Sequence, residues 1–277
     1  MSKVVLITGC SSGIGLATAV YLAKQGNKVY ASLKDLSRKD KLVAEAEKEN
    51  VTIEMLQLDV TNDASVTEAV AAVVEKEGKI DVLINNAGYG VMGPAETVSM
   101  EQAKAEFDVN FFGLLRVTQA VLPHMREQQS GHIINISSIA GIRAMPTSDL
   151  YNASKFAVEG LTEAMAPTLA VAGIKMTLIE PGPVDTDFIG RSLQLGEKLQ
   201  NVEVYRKITE KISARRTEMF KHSQKPEEIA ALINEAITSE KPDFRYQTSE
   251  AVKEMARAKL VDLTGNEIIE KSIEGLR

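Results

Sequence analysis

Apolar residues fall along this chain in two alternating patterns. Short runs rich in β-branched residues, such as Val4-Val5-Leu6-Ile7 and Ile80-Asp81-Val82-Leu83-Ile84, are separated by longer stretches in which apolar positions recur every three or four residues. The first pattern suits strands buried on both faces and the second suits amphipathic helices, so their alternation predicts a parallel sheet with helices on both sides. Strands are expected over 4–7, 28–32, 52–58, 80–84, 132–136 and 175–179, and helices over 13–25, 38–49, 63–76, 100–126 and 151–172. Pro167, inside the last of these helices, should remove a hydrogen bond and bend it.

Beyond Pro181 the strands thin out. A polar, helical stretch over 190–225 reads as part of an insertion, about 188–225, that covers a substrate site. A helix over 227–239, a strand at Phe244-Arg245-Tyr246 and helical segments to Arg277 complete the chain. No repeat or Pro/Gly/Ser-rich linker divides it, so residues 1–277 are expected to form a single doubly wound α/β domain.

Composition narrows the setting. With 277 residues, 44% of them hydrophobic, the chain can bury a sizeable core. A net charge of −6 argues against nucleic acid or an anionic membrane as partner, since both select a basic face. Cys10 is the only cysteine, which excludes an intrachain disulfide and fits a reducing, cytoplasmic location. The apolar run at the amino terminus is too short for a signal peptide, and no stretch approaches the ~18 apolar residues of a membrane span. No metal site is expected.

Three groups of residues carry chemistry. Thr8-Gly9-Cys10-Ser11-Ser12-Gly13-Ile14-Gly15 joins the first strand to the first helix, where a glycine turn can aim backbone N–H groups and the helix dipole at a pyrophosphate. Tyr151 and Lys155 lie one helical turn apart in Tyr151-Asn152-Ala153-Ser154-Lys155, so an ammonium stands on the same face as a phenol. A phenol near pKa ~10 is a poor proton relay, and a fixed cation beside it is expected to favour its ionised form. Ser138 follows the fifth strand and supplies a hydroxyl.

On these residues, together with Asn85-Asn86-Ala87-Gly88 and Pro181-Gly182, the chain is identified as resembling the short-chain dehydrogenase/reductase superfamily over about residues 1–190. The resemblance implies a Rossmann-like fold and hydride transfer between a nicotinamide cofactor and an alcohol or carbonyl. It implies that Tyr151 exchanges a proton with the substrate oxygen, that Ser138 hydrogen-bonds the same oxygen, and that Lys155 tunes Tyr151 and binds the nicotinamide ribose. Asn110 matches the family asparagine that places a water in the relay to Lys155. Cofactor contacts are implied for Gly9, Ser11, Ser12, Gly13, Ile14 and Gly15, for Asp59 and Val60, and for Asn86, Ala87 and Gly88. Tyr151, Lys155, Pro181, Gly182, Val184 and Thr186 complete that set.

An acid at the end of the second strand would accept both adenosine-ribose hydroxyls and repel a 2′-phosphate. Ser32 stands there instead, with Lys34 two residues on, so NADP(H) is expected to be preferred. Asp35 keeps NAD(H) open, because a small shift in register would make it the ribose ligand. A narrower resemblance, carried by Val29-Tyr30-Ala31-Ser32-Leu33-Lys34-Asp35-Leu36, Leu56-Gln57-Leu58-Asp59-Val60 and Pro226-Glu227-Glu228, points to the branch of 17β-hydroxysteroid and photoreceptor retinol dehydrogenases. It implies a bulky hydrophobic small-molecule substrate, which Leu193, Leu195, Val202, Val204, Tyr205, Met219 and Phe220, in the segment from Phe188 to Phe220, would cover.

Met145 and Arg143 are further substrate-site candidates; an Arg143 facing the site would favour a carboxylate-bearing or smaller polar substrate. His222 has no clear counterpart to the steroid-binding histidine of that branch. Two other readings stay open: a general carbonyl or aldehyde reductase, and a cofactor-sensing protein without turnover, against which the intact Asn110, Ser138, Tyr151 and Lys155 weigh. By family analogy the chain is expected to form a homodimer or homotetramer through the helices over 100–126 and 151–172.

Overall fold

The computed structural model describes residues 2–187, 192–220, 223–261 and 274. β1 (Val4–Ile7) stands near the middle of a seven-stranded sheet, and the chain first builds to one side of it through α1 (Gly13–Lys24), β2 (Lys28–Leu33), α2 (Asp40–Lys48) and β3 (Glu54–Gln57). α3 (Asp63–Glu77) carries it back to β4 (Val82–Asn85) on the other side. There follow β5 (Gly90–Met92), outside this sheet, then α4 (Met100–Phe107), α5 (Leu114–Gln128), β6 (Gly131–Ile136), α6 (Asp149–Val171) and β7 (Ile174–Glu180). β8 (Leu193–Leu195) and α7 (Glu203–Phe220) leave the sheet before α8 (Pro226–Thr238), β9 (Arg245–Gln247) and α9 (Glu250–Val261). The order β3-β2-β1-β4-β6-β7-β9 is parallel throughout. Its direction of growth reverses between β1 and β4, which opens a crevice at the carboxyl ends of those strands.

Side chains alternate across the sheet, so each strand feeds two cores. Val5 and Ile7 pack with Leu22 of α1 and Ile229 and Ile233 of α8, while Val4 and Leu6 pack with Val70 and Val73 of α3 and Val117 and Val121 of α5. Strand residues such as Leu6, Ile7, Leu83 and Ile84 are fully buried, each worth roughly 1.5–3 kcal/mol of transfer free energy. Helix ends follow local chemistry. The Asn62 side chain accepts from the Ser65 N–H at the start of α3, Gly78 ends it at φ 73°, and Ser99 and Gln102 form a reciprocal capping box on α4.

Two expectations change, and the helix over 151–172 keeps its expected length. The long helix over 100–126 is interrupted by a π-helical turn, Asp108–Gly113, between α4 and α5. Gly113 there presses against Val60 so closely that a Cβ would lie 2.7 Å from Val60 Cγ2, and the widened turn carries Asn110 into the interior. α6 runs through Pro167 to Val171; both Pro167 and Glu163, whose carbonyl the proline leaves unbonded, are exposed to water. The segment after Pro181 is not wholly helical, because β8 pairs in parallel with β5 as a separate two-stranded sheet. No helix among the described residues is long and apolar enough to cross a membrane.

Candidate active site

The glycine loop is stapled to the end of β4. Thr8 Oγ1 accepts from the N–H groups of Asn86 and Ala87, both at 3.0 Å, and the Asn86 amide donates to the carbonyls of Thr8 (2.8 Å) and Gly9 (3.0 Å). Gly9 adopts φ +75°, and a Cβ on it would lie 2.8 Å from Ala87 Cα, so only glycine fits. Behind this loop the Asn85 amide donates to Thr118 Oγ1 and Asn135 Oδ1, and the Asn135 amide to Thr162 Oγ1, tying β4, β6, α5 and α6 together at the sheet's carboxyl end. Ser12 at the head of α1 makes no side-chain cap, which leaves the first N–H groups of the helix available to an anion.

A cleft of about 1000 Å³ runs from this loop across the crevice. Its first wall carries Gly9, Ser11, Ser12, Gly13 and Ile14. Lys34, Asp59 and Val60 lie at one end, with Asn86, Ala87 and Gly88 along the floor and Pro181, Gly182, Val184 and Thr186 opposite. Gly15 is not on the wall. It is buried, and a Cβ there would lie 2.4 Å from Asn86 Nδ2 and from the Gly9 carbonyl oxygen, so its glycine serves loop packing rather than ligand approach. Cys10 is fully buried; loss of hydration pushes its thiol far up, out of reactive range.

At the far end Ser138, Tyr151 and Lys155 share the cleft wall. Ser138 opens a single 3₁₀ turn, Ile139–Gly141, whose Ala140 N–H donates to its hydroxyl oxygen, and the hydroxyl also hydrogen-bonds the Tyr151 phenol. Lys155 is 6% exposed and its ammonium donates to the Ile136 carbonyl at 2.9 Å, 5.8 Å from the centroid of the Tyr151 ring. Burial draws Lys155 down to about 8, against the attraction of Glu159 and Glu106.

The expected acidification of Tyr151 is not what this geometry gives. Burial pushes the phenol up to about 12, the Ser138 hydrogen bond and the positive charge of Arg216 pull it back, and Glu106 raises it further. The Lys155 ammonium is held on the Ile136 carbonyl, 5.8 Å from the centroid of the Tyr151 ring, and burial outweighs the attractions that favour the phenolate. Asn110 lies behind the wall at 2% exposure. Its amide donates to the Tyr89 carbonyl and Ser154 Oγ, and its oxygen accepts from the Tyr89 N–H, so it fixes the cleft-lining Tyr89 and the helix carrying Tyr151.

Of the substrate-site candidates, Met145 lines the cleft and Arg143 does not. Arg143 follows the 3₁₀ turn and is half-buried away from the cavity. Arg216 of α7 reaches the cleft instead, and sequence reasoning passed over it because an arginine on a polar helix reads as a solvated charge. Arg38, a cleft-lining cation near Lys34, was missed for the same reason. Of the insertion residues, Leu193 and Phe220 face the cleft, while Leu195 and Val204 are exposed. Phe188, His222 and the Met219 side chain lie outside the described residues.

With this geometry in view, the comparisons with known proteins agree. The sequence profile of the short chain dehydrogenases matches residues 3–194, and the chain belongs to that family: it is an oxidoreductase acting on CH–OH groups. It is 38% identical over 275 residues to retinol dehydrogenase 8 of Homo sapiens, covering 95% of this chain and 87% of the relative. It is also 38% identical over 275 residues to 17-beta-hydroxysteroid dehydrogenase type 1 of Homo sapiens, covering 96% and 83%. A short chain dehydrogenase/reductase from Burkholderia phymatum, solved in complex with NAD, superposes with a TM-score of 0.81 at 28% identity, covering 95% of this chain and 94% of that one.

Glu106 is a buried carboxyl beside this site. It is 0% exposed, accepts the Val91 N–H at 3.1 Å through one oxygen, and its other oxygen has no partner. Burial raises it to about 7, with the Val91 hydrogen bond and the Lys155 charge opposing. A carboxyl raised in the folded state gives stability that is complete below its unfolded pKa of about 4.3 and lost as pH rises through about 7. Glu106→Gln, which cannot ionise, should therefore gain on the wild type across that window, by up to about 3 kcal/mol near pH 8. Urea unfolding at about pH 5 and pH 8 reads this; an equal difference at both values contradicts it.

Proposed function

We propose that the protein catalyses reversible hydride transfer between NADP(H) and a secondary alcohol or carbonyl compound. The observation that carries this reading is the convergence of Ser138, Tyr151 and Lys155 on one wall of the cleft that begins at the glycine loop. That loop fits a dinucleotide: Gly9 and Gly13 leave open backbone where a Cβ would crowd Ala87 and Thr186, and the uncapped start of α1 suits a pyrophosphate. When bound, the nicotinamide supplies or accepts the hydride.

The chain's own residues handle the oxygen. In the reducing direction Tyr151 Oη gives its proton to the substrate oxygen as negative charge develops there, while Ser138 Oγ donates to the same oxygen and orients it. Lys155 holds its ammonium on the Ile136 carbonyl at the sheet edge and would bind the ribose hydroxyls of a nicotinamide nucleotide, while Asn110 positions Tyr89 and the Tyr151 helix. The walls formed by Met145, Ile212, Leu193 and Phe220 favour an extended apolar substrate of the hydroxysteroid or retinoid kind, and the names of the curated relatives lend support.

Lys34 and Arg38 favour a 2′-phosphate. Both line the adenosine end of the cleft, and the Lys34 ammonium lies 3.0 Å from Asp59. Ser32 is buried there with an unpartnered hydroxyl, while the rival Asp35 turns its carboxylate to the N–H and hydroxyl of Ser37 and does not line the cleft. We further infer a cytoplasmic enzyme of one domain, assembled as a homodimer or homotetramer; the exposed Phe112 and Phe156, beside α5 and on α6, support that assembly.

Tyr151→Phe should lower kcat/KM for carbonyl reduction by about 10²–10⁴, read as NADPH oxidation over steroids, retinal and small carbonyls. Turnover retained in that variant removes Tyr151 from its role. The wild type should prefer NADPH over NADH, and Lys34→Ala with Arg38→Ala should cost about tenfold to a hundredfold in kcat/KM for NADPH while leaving NADH within about threefold. NADH preferred by the wild type, or equal losses with both cofactors, sinks the assignment.

A further inference from the structure

Arg216 is the cation at the substrate end of the cleft, and its surroundings are unusual for a guanidinium away from bulk water. It is half-buried, and among the described residues no carboxylate pairs with it. One of its terminal nitrogens donates to the Ser148 hydroxyl at 2.9 Å and the other rests 3.1 Å from the Met92 sulfur. Among the described residues its partners are a neutral hydroxyl and a thioether, so most of its five N–H donors remain for another ligand and no carboxylate stands beside the partly desolvated charge. An anion entering the cleft would meet those donors in a partly desolvated setting, where a charge-assisted hydrogen bond is stronger than in water.

Its placement is directional. Ser148 precedes the helix that carries Tyr151, and Met92 belongs to the small β5–β8 sheet whose second strand also lines the cleft. Both contacts hold the guanidinium toward the wall that carries Tyr151, and its charge is felt at that phenol. The rest of this end is apolar, with Met145, Ile212 and Phe220 on the wall.

We propose that Arg216 is a specificity-determining residue that binds a carboxylate on the substrate, so that the preferred substrate is an amphipathic hydroxy or oxo acid: an apolar body with its carboxylate on the Arg216 side of the reacting carbon. This rests on the oxidoreductase reading above and departs from its neutral hydroxysteroid or retinoid substrate by adding a carboxylate to the apolar body. A planar guanidinium takes a carboxylate through two parallel N–H···O bonds, which fixes orientation as well as charge, and a neutral ester of the same skeleton loses that pairing.

The test uses oxo-octanoates with the carbonyl at successive positions, each beside its methyl ester, with NADPH and with NADH. At the best position the acid should exceed its ester in kcat/KM by about tenfold or more, and Arg216→Met should collapse that ratio toward unity. Arg216→Lys should keep part of it, and Arg143→Met, outside the cleft, should leave it in place. Calorimetric titration of the free protein with octanoate and with methyl octanoate gives the same comparison without turnover: octanoate bound more tightly, and its advantage lost in Arg216→Met. An acid-to-ester ratio near one in the wild type, or a ratio that Arg216→Met leaves unchanged, overturns the proposal. Selective octanoate binding through Arg216 with no turnover of any acid or ester would count against the oxidoreductase mechanism and support the anion site.

Discussion

The hydrogen bond from the Lys155 ammonium to the Ile136 carbonyl fixes the active end of the molecule. It joins the second turn of α6 to the last residue of β6, and so sets where the helix lies against the sheet's carboxyl edge. Tyr151, one turn earlier on the same face, is thereby held over the cleft beside Ser138, which leaves β6 two residues further on. The strand ends are held in turn by the Asn85–Asn135–Thr162 chain and by Thr8 and Asn86 beneath the glycine loop. Ser138, Tyr151, Lys155 and the glycine loop thus rest on one hydrogen-bonded edge.

Burial governs the electrostatics of that edge. It lowers Lys155 to about 8 and raises Tyr151 to about 12, each toward its neutral form, even though cation and phenol lie close together. Glu106 and Glu159 pull Lys155 back toward its charged state, and Ser138 and Arg216 do the same for the phenolate. Near neutral pH burial keeps the Tyr151 phenol protonated, the form that can give a proton to a carbonyl oxygen. Arg216 enters this balance from outside the sheet edge, on α7.

Much of the fold was legible because its signals are local. Buried strands such as Val4–Ile7 read as unbroken apolar runs, and α3 carries its own start and stop in Asn62 and Gly78. The glycine loop and the Tyr151–Lys155 pair were legible because their spacing is itself the geometry. What escaped depends on contacts between distant segments. The π-helical turn that buries Asn110 follows from Gly113 meeting Val60, and β5 exists only because β8 pairs with it. Arg143 lies near Ser138 in sequence but is turned aside by the 3₁₀ turn between them, whereas Arg216 arrives from a helix whose own pattern is that of a solvated surface.

The central claim is that this edge passes a hydride to carbon and a proton to oxygen. It is tested most directly by reducing a carbonyl substrate with NADPH deuterated at the transferring nicotinamide carbon, in ordinary water, and locating the label by mass spectrometry and NMR. The account predicts one deuterium on the carbinol carbon and none washed in from solvent at that position. A product whose carbinol hydrogen comes from water would contradict it.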